Sequence, residues 1–506
     1  MAGWRNWAGN QQCEAAEIRS PSSEADLVGA VTEAAEAGRR VKMVGSGHSF
    51  TSIALSDGFL LRPDRYNKLL SVDAPARTVT VQSGMRLQDL NEELAGHGLA
   101  LENLGDIAYQ TVAGAISTAT HGTGRDFRGL AAQVKAIRLV TGHGSIIECS
   151  ADSEPDVFRA ACVGLGAAGL LSTVTLQCVP AFNLHAVEMP MRVDEVLESL
   201  DEHIESNDHF EFFWVPHTGW ALTKRNRRTN EPAQPRGRWT ELKDDILLGN
   251  YAFDAICRLG RLRPALIPRL IRALPATGRV EYIERSDRVF ASPRLVRFYE
   301  MEYAIPREAA IESLNRVRAF IKESGLMISF PVEVRFTKGD DIFLSTAHGR
   351  ETCYIAVHVY QGMHYQQYFE AVESIMDDYG GRPHWGKLHF QKAATLAERY
   401  PRWDDFQRTR TRIDPAGVFS NPYLDRVLGP AHGVGDNGRR ARRKAVPEER
   451  ENQGRVDGED GEIAKVPSED LGRSAQSRPS DEEAEPDDKV EEASVDSFPA
   501  SDPPAY

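Results

Sequence analysis

Two short segments of small residues carry the residue types that could hold a cofactor. Val41 to Thr51 reads VKMVGSGHSFT. Val41 and Met43 alternate with small or polar neighbours, the pattern of a short strand feeding a loop. In that loop Gly45 and Gly47 flank Ser46, and His48 follows at once. Glycine lets a backbone approach a ligand closely, and successive exposed N–H groups can hold phosphate oxygens without a lysine. Alone, the loop reads first as an ordinary turn with a surface histidine and only second as a ligand loop. It gains weight from Val112 to Gly124, VAGAISTATHGTG, a second small-residue run with its own histidine, His121. Together they read as two walls around one long anionic ligand.

The composition narrows the setting. Acidic residues number 74 against 60 basic ones, a net charge of −14 over 506 residues. Such a balance disfavours nonspecific nucleic-acid binding and offers phosphates no general attraction. A phosphate site must then be local and built from backbone donors. Cys13, Cys149, Cys162, Cys178, Cys257 and Cys353 form no CxxC pair and no Cys/His metal spacing, so no metal centre is expected. Scattered thiols fit a reducing, cytoplasmic setting. The start, MAGWRNWAGN, lacks a basic stretch followed by an apolar run, so no signal peptide is expected. No apolar run approaches the roughly 20 residues that span a bilayer.

The elements that must position these segments follow from periodicity. Ser23 starts a helix with Leu27, Val31 and Ala35 on one face, stopped at Gly38. Trp4 to Ala8 is expected to pack back onto the body. Thr78 to Gln82 reads as a strand and Met85 to Leu94 as a helix. Val134 to Leu139 and Ser145 to Cys149 flank a hairpin turn at Gly142 to Gly144. Phe158 to Cys162 is helical, and Leu171 to Leu176 is a strand. Beyond residue 181 the chain is richer in aromatics. Longer strands are expected at Glu211 to Val215, Val296 to Tyr303, Val332 to Phe336 and Tyr354 to Tyr360, with helices at Arg307 to Ser324 and Tyr365 to Tyr379. Asp244 to Leu274 alternates arginines with leucines. It reads first as a solvated helical lid or dimer face and second as a membrane-peripheral helix; the oligomeric state stays open. Ala431 to Tyr506 has too little apolar surface to offset chain entropy and predicts a disordered, charged tail.

Taken together and in order, the motifs resemble the FAD-dependent aldonolactone and alditol oxidoreductases of the vanillyl-alcohol oxidase superfamily. They are most similar to bacterial D-arabinono-1,4-lactone oxidases and gulonolactone oxidases or dehydrogenases. The carrying residues are Gly45-Ser46-Gly47-His48-Ser49, Val112-Ala113-Gly114, Thr120-His121-Gly122-Thr123-Gly124, Glu333-Val334-Arg335, His384-Trp385-Gly386-Lys387, Asp414-Pro415 and Phe419-Ser420-Asn421-Pro422. The resemblance implies an α+β, two-domain flavoprotein. A PCMH-type FAD-binding domain would cover about 10–180, a substrate or cap domain 181–428, and the tail 431–506. No GxGxxG is followed by an acidic residue on the next strand, which argues against a nicotinamide cofactor.

The resemblance also implies roles. FAD would be held by Gly45, Ser46, Gly47, His48, Ser49, Gly105, Asp106, Thr111, Gly114, Ala115, Ser117, Thr118, His121, Gly122, Val174 and Asn421, with His48 covalently attached to the flavin 8α-methyl carbon. Glu333 and Arg335, two apart in a strand, face one side and would line the substrate pocket with Lys387 and His358. His384 and His389 would support that shell. The substrate would be a sugar lactone or polyol, and O2 or another redox acceptor would complete the cycle. Gly105 resembles the oxidases at a position that governs oxygen access. Asp106 departs from the serine of alditol oxidases and favours a lactone. Two alternatives are an alditol oxidase with the same flavin chemistry, and a flavoprotein whose main role is partner binding through its tail.

Overall fold

The computed structural model describes residues 2–237, 252–272, 278–292 and 296–431. The expected tail and part of the arginine–leucine segment lie outside the described residues.

The first helix, Glu24–Glu36, begins where its capping chemistry dictates. The Ser23 hydroxyl accepts from the Asp26 N–H, and the Asp26 carboxylate accepts from the Ser23 N–H. Its buried face is Leu27, Ala30, Val31 and Ala34, and Ala35 is half-buried. The stripe drifts by one residue because a helix turns every 3.6 residues rather than four. This helix packs beside a three-stranded parallel sheet of Glu17–Arg19, Phe59–Leu61 and Val41–Met43. A five-stranded antiparallel sheet follows, in the order Ile146–Ser150, Val134–Val140, Leu170–Gln177, Thr78–Gln82, Leu69–Asp73. The Gly45 loop leaves the end of Val41–Met43. The second small-residue segment is not all loop: Val112–Ser117 forms a short helix capped by Thr111, whose hydroxyl accepts from the Gly114 N–H.

The second half is organised by an eight-stranded antiparallel sheet. Its order is Val280–Arg285, Asn183–Arg192, Trp220–Thr229, His209–Trp214, Val332–Thr337, Thr352–Tyr360, Phe298–Pro306, Arg382–Pro383. Four of these strands match the expected ones to within a few residues. Trp220–Thr229 (WALTKRNRRT) was not expected, because its charged residues hide the alternation. One face of the sheet is apolar. Phe210, Phe212, Val334, Ile355, Val357, Met301 and Tyr303 pack there against Leu314 and Val317 of helix Ala310–Ser324 and Phe369 and Val372 of helix Gln366–Asp377. The opposite face is polar and turns towards the small-residue loops.

After the sheet, the chain returns to the first half. Trp385, Tyr400, Phe406, Ile413 and Tyr423 share one buried cluster with Val79, Leu90, Ile137 and Val174. The start also folds back, as expected: Ala2–Arg5 pairs with Gln12–Ala15, and Trp7 packs against Phe50 and Phe298. In the arginine–leucine segment, Phe253–Leu262 and Ile267–Arg272 are helices. Among the described residues, no helix is long and apolar enough to cross a membrane.

Candidate active site

Two cavities meet at His48. The first encloses about 990 Å3, its open mouth included, between the Gly45 loop, the Thr111–Thr118 segment and the Leu165–Gly169 loop. The second encloses about 890 Å3 between those loops and the polar sheet face. His48, Ser49, Gln110 and Thr118 border both.

The first cavity is walled by the small residues of the Gly45 loop and the Thr111–Thr118 segment, completed by larger apolar side chains such as Trp4, Met43, Leu170 and Phe419. A Cβ added to Gly45 would sit 2.4 Å from the Thr111 hydroxyl, so the two segments approach too closely for another residue. Gly47 holds a φ of +73°, which disfavours any side chain. Ser46 donates its hydroxyl to the Tyr109 carbonyl. Besides His48, Lys42 is the single ionisable side chain among the residues lining this cavity. Its ammonium donates to the carbonyls of Gly166 (2.9 Å) and Phe419 (3.1 Å). Burial pulls its pKa down to about 7. His48 packs beside Trp7 and Tyr109. Burial, helped by the charge of Arg86, lowers its pKa to about 4, and its Nδ1 is buried with no hydrogen-bond partner. The imidazole is therefore neutral and has an uncommitted ring nitrogen.

The second cavity is lined by charge. Strand register places its groups: Glu211 lies opposite Arg335, Phe213 opposite Glu333, Arg335 opposite Tyr354, and Glu300 opposite His358. Glu300 and Glu302 alternate on Phe298–Pro306 and so share that face. Arg335 is ion-paired to Glu333 and, at 2.7 Å, to Glu211. The Lys387 ammonium lies 2.5 Å from Glu300 and 2.9 Å from Glu302. His358 Nε2 is 3.3 Å from the same Glu300 oxygen, and His121 Nε2 is 3.2 Å from the same Glu302 oxygen. Each imidazole has a backbone carbonyl at Nδ1, Pro331 for His358 and Gly122 for His121. The His121 ring stacks on Tyr354.

Burial pushes the Glu300 carboxyl up, but Lys387 and His358 outweigh it and hold its pKa at about 2. Burial likewise acts on Glu302, and Lys387 and His121 pull it well below the carboxylate range. Burial lowers Lys387, yet Glu300, Glu302 and Glu333 raise it further, so it stays an ammonium. Glu333 is raised because burial outweighs Arg335. His121, Glu302 and His384 converge closely enough to ligate a cation. The Lys387 ammonium already supplies positive charge there, and His384 Nδ1 accepts from the Gly386 N–H.

Of the residues expected at the cofactor, Gly45, Ser46, Gly47, His48, Ser49, Thr111, Gly114, Ser117 and Thr118 line the first cavity, and Gly105, Asp106 and His121 the second. Glu333, Arg335, His358 and Lys387 converge on the second cavity. The side chains of Ala115 and Val174 lie in the apolar core behind the walls. Gly122 is pressed against the Leu104 carbonyl, 2.2 Å from where a Cβ would be. Asn421 caps helix Pro422–Leu428 and donates to the carbonyls of Ser52, Ile53 and Leu55, stapling a loop that lines the first cavity. His389 bonds to the Tyr423 hydroxyl, away from both cavities. Sequence reading missed Glu211, Glu300 and Glu302. For the latter two the signal was present, two carboxylates at alternate positions of an otherwise apolar strand, FYEMEYAIP.

A small-residue cradle with an uncommitted buried histidine at its mouth fits a flavin dinucleotide: backbone donors for the diphosphate, and a neutral imidazole beside the ring system. Residues 15–150 match the family described as FAD binding domain. The fold is shared with the crystal structure of cholesterol oxidase from B. sterolicum, at a TM-score of 0.73 and 18% identity over 85% of this chain and 96% of that one. The chain is a FAD-dependent oxidoreductase. Residues 174–427 match the family described as D-arabinono-1,4-lactone oxidase. The chain is 48% identical to an L-gulono-1,4-lactone dehydrogenase of Mycobacterium tuberculosis, over 84% of its own length and 99% of the relative's. It is 36% identical to the L-gulonolactone oxidase of Bos taurus, over 84% and 98%. It belongs to the aldonolactone oxidase family, enzymes acting on CH–OH groups.

Proposed function

We propose that this enzyme oxidises a sugar-derived 1,4-lactone of the L-gulono or D-arabinono type beside its ring carbonyl, with O2 as the final acceptor. FAD, when bound, supplies the hydride acceptor. His48 carries it covalently, a reading supported by the neutral ring and its unpartnered Nδ1. The Lys387 ammonium stabilises the alkoxide that develops on the substrate hydroxyl. Glu333 orients that hydroxyl, takes up its proton as the hydride leaves for FAD, and fixes Arg335, and His358 borders the same space. A FAD-binding half over about 10–180 and a substrate half over 181–428 divide the labour. The six free cysteines support a reducing, cytoplasmic setting.

One observation carries this reading. Lys387, Glu333, Arg335 and His358, from one loop and two strands, converge on the cavity that His48 borders. The test is anaerobic mixing of the yellow protein with a panel of 1,4-lactones and open-chain alditols, followed by air. The expectation is rapid bleaching by a lactone and recovery of the colour in air. Bleaching by alditols alone would overturn the substrate class; recovery only with an added dye would overturn the acceptor. Acid-precipitated wild type should keep flavin fluorescence on the polypeptide, and His48→Ala should lose it.

A further inference from the structure

We propose that Glu302 and Glu300 are positioning residues for this oxidation: they clamp the Lys387 ammonium between them and tie it to the two walls of the site. The inference rests on the role proposed for Lys387 above. Glu302 links it to His121, which belongs to the small-residue wall, and Glu300 links it to His358, on the sheet. The Glu302 side chain is 1% exposed and that of Glu300 is 7% exposed. Glu302 is shut off from water and so depends on these partners, and Glu300 meets only the cavity beyond them.

The clamp does two things that a single carboxylate would not. A flexible four-carbon lysine stem, free to rotate, would sample several positions. Two acceptors approaching from alternate residues of one strand fix the nitrogen in space. The pair also offsets the cost of keeping a cation out of water, so Lys387 holds its proton across the working pH range. The titratable and charged groups around it are Glu300 and Glu302 from Phe298–Pro306, Glu333 from Val332–Thr337, His358 from Thr352–Tyr360, His384 from its own loop and His121 from the opposite wall. Glu302 is the carboxylate that touches both the lysine and the opposite wall.

The experiment uses the holoenzyme and the substrate of the panel that bleaches wild type fastest; if none does, the functional reading fails before any variant is made. Anaerobic flavin reduction is followed against pH for wild type, Glu302→Gln, Lys387→Met and the double variant, with flavin content and melting temperature as controls. Glu302→Gln should slow reduction about 100-fold and leave the half-saturating substrate concentration within about threefold. It should also bring the alkaline loss of activity down by about 1–3 pH units, because one of the charges holding the proton on Lys387 is gone. In the Lys387→Met background the same change should cost less than about twofold, since a residue acting through the lysine has nothing left to act on. Additive losses in the double variant, or a rate loss matched by flavin loss with no movement of the alkaline limb, would overturn the proposal. Should Glu302→Gln fail to fold, Glu302→Asp keeps the charge but retracts it. It should then slow reduction without moving the alkaline limb; a variant as fast as wild type would overturn the proposal.

Discussion

The two cavities that meet at His48 are built on opposite plans. The first is almost without charge. Its walls are small residues of the Gly45 loop and the Thr111–Thr118 segment, close enough that Gly45 leaves no room for a Cβ, and apolar side chains such as Trp4, Leu170 and Phe419. The second is crowded with charge: Arg335 and Lys387 are each held by two carboxylates, and two histidines complete the set. Under the proposed function, the contrast follows from the task on each side. Holding a dinucleotide asks for many weak, directional donors and close approach. Removing a hydride and a proton asks for fixed charge where charge develops, and a low-dielectric pocket makes that charge count. In a protein with a net charge of −14, Arg335 and Lys387 come together at the polar sheet face, whereas Lys42 is the one lysine lining the first cavity.

The largest test of this separation is Lys387→Met. It should slow flavin reduction about 100- to 1000-fold while flavin content stays near one per chain, and Arg335→Ala should act in the same direction. A matching loss of flavin and rate would mean that the two regions are not separable. Gly45→Ala breaks the other side. Its Cβ must push Thr111 away, at an expected cost of about 1–3 kcal/mol, and flavin content should fall while any loaded fraction turns over normally. Thermal melts with and without FAD would check it.

Lys42 sharpens the comparison through pH. Its folded pKa, about 7, lies below the ordinary value of 10.5. Between those values the unfolded chain binds more protons, so this residue makes stability rise with pH, by at most about 1.4 kcal/mol per unit. Lys42→Met should remove that rise between pH 7 and 10, seen as a flatter curve of melting temperature against pH. The smallest effect is expected of Gly105→Ala. The new Cβ would lie 3.0 Å from the His121 carbonyl and 3.2 Å from Thr120 Cγ2, tight but tolerable. It should slow reoxidation by O2 several-fold and spare reduction by substrate, read as two separate stopped-flow phases.

How much could be read in advance differed between the regions for the same reason. Each wall of the cradle is a contiguous stretch: Val41–Met43 and the glycines after it announce strand and loop in eleven letters. Glu333 and Arg335 were legible because a period of two puts them on one side. The same period applied to Glu300 and Glu302, but it could not say which side faces the site, nor that Lys387 would arrive from a distant loop to sit between them. Trp220–Thr229 escaped notice because its side chains are mostly polar, and polar alternation leaves no apolar signal.

By itself the sequence determined the local features: the capped first helix, the glycine loop with its histidine, and the alternation that made strands of Val332–Thr337 and Thr352–Tyr360. Those depend on neighbours within a few residues, where sterics and hydrogen bonding act directly. Only the tertiary structure decided that Trp385 to Leu428 returns to the first core, that Asn421 staples the cavity floor, and that four carboxylates come to hold one arginine and one lysine. An ion's protonation and aim are set by its partners, and those partners come from separate strands and loops that strand register and core packing bring together.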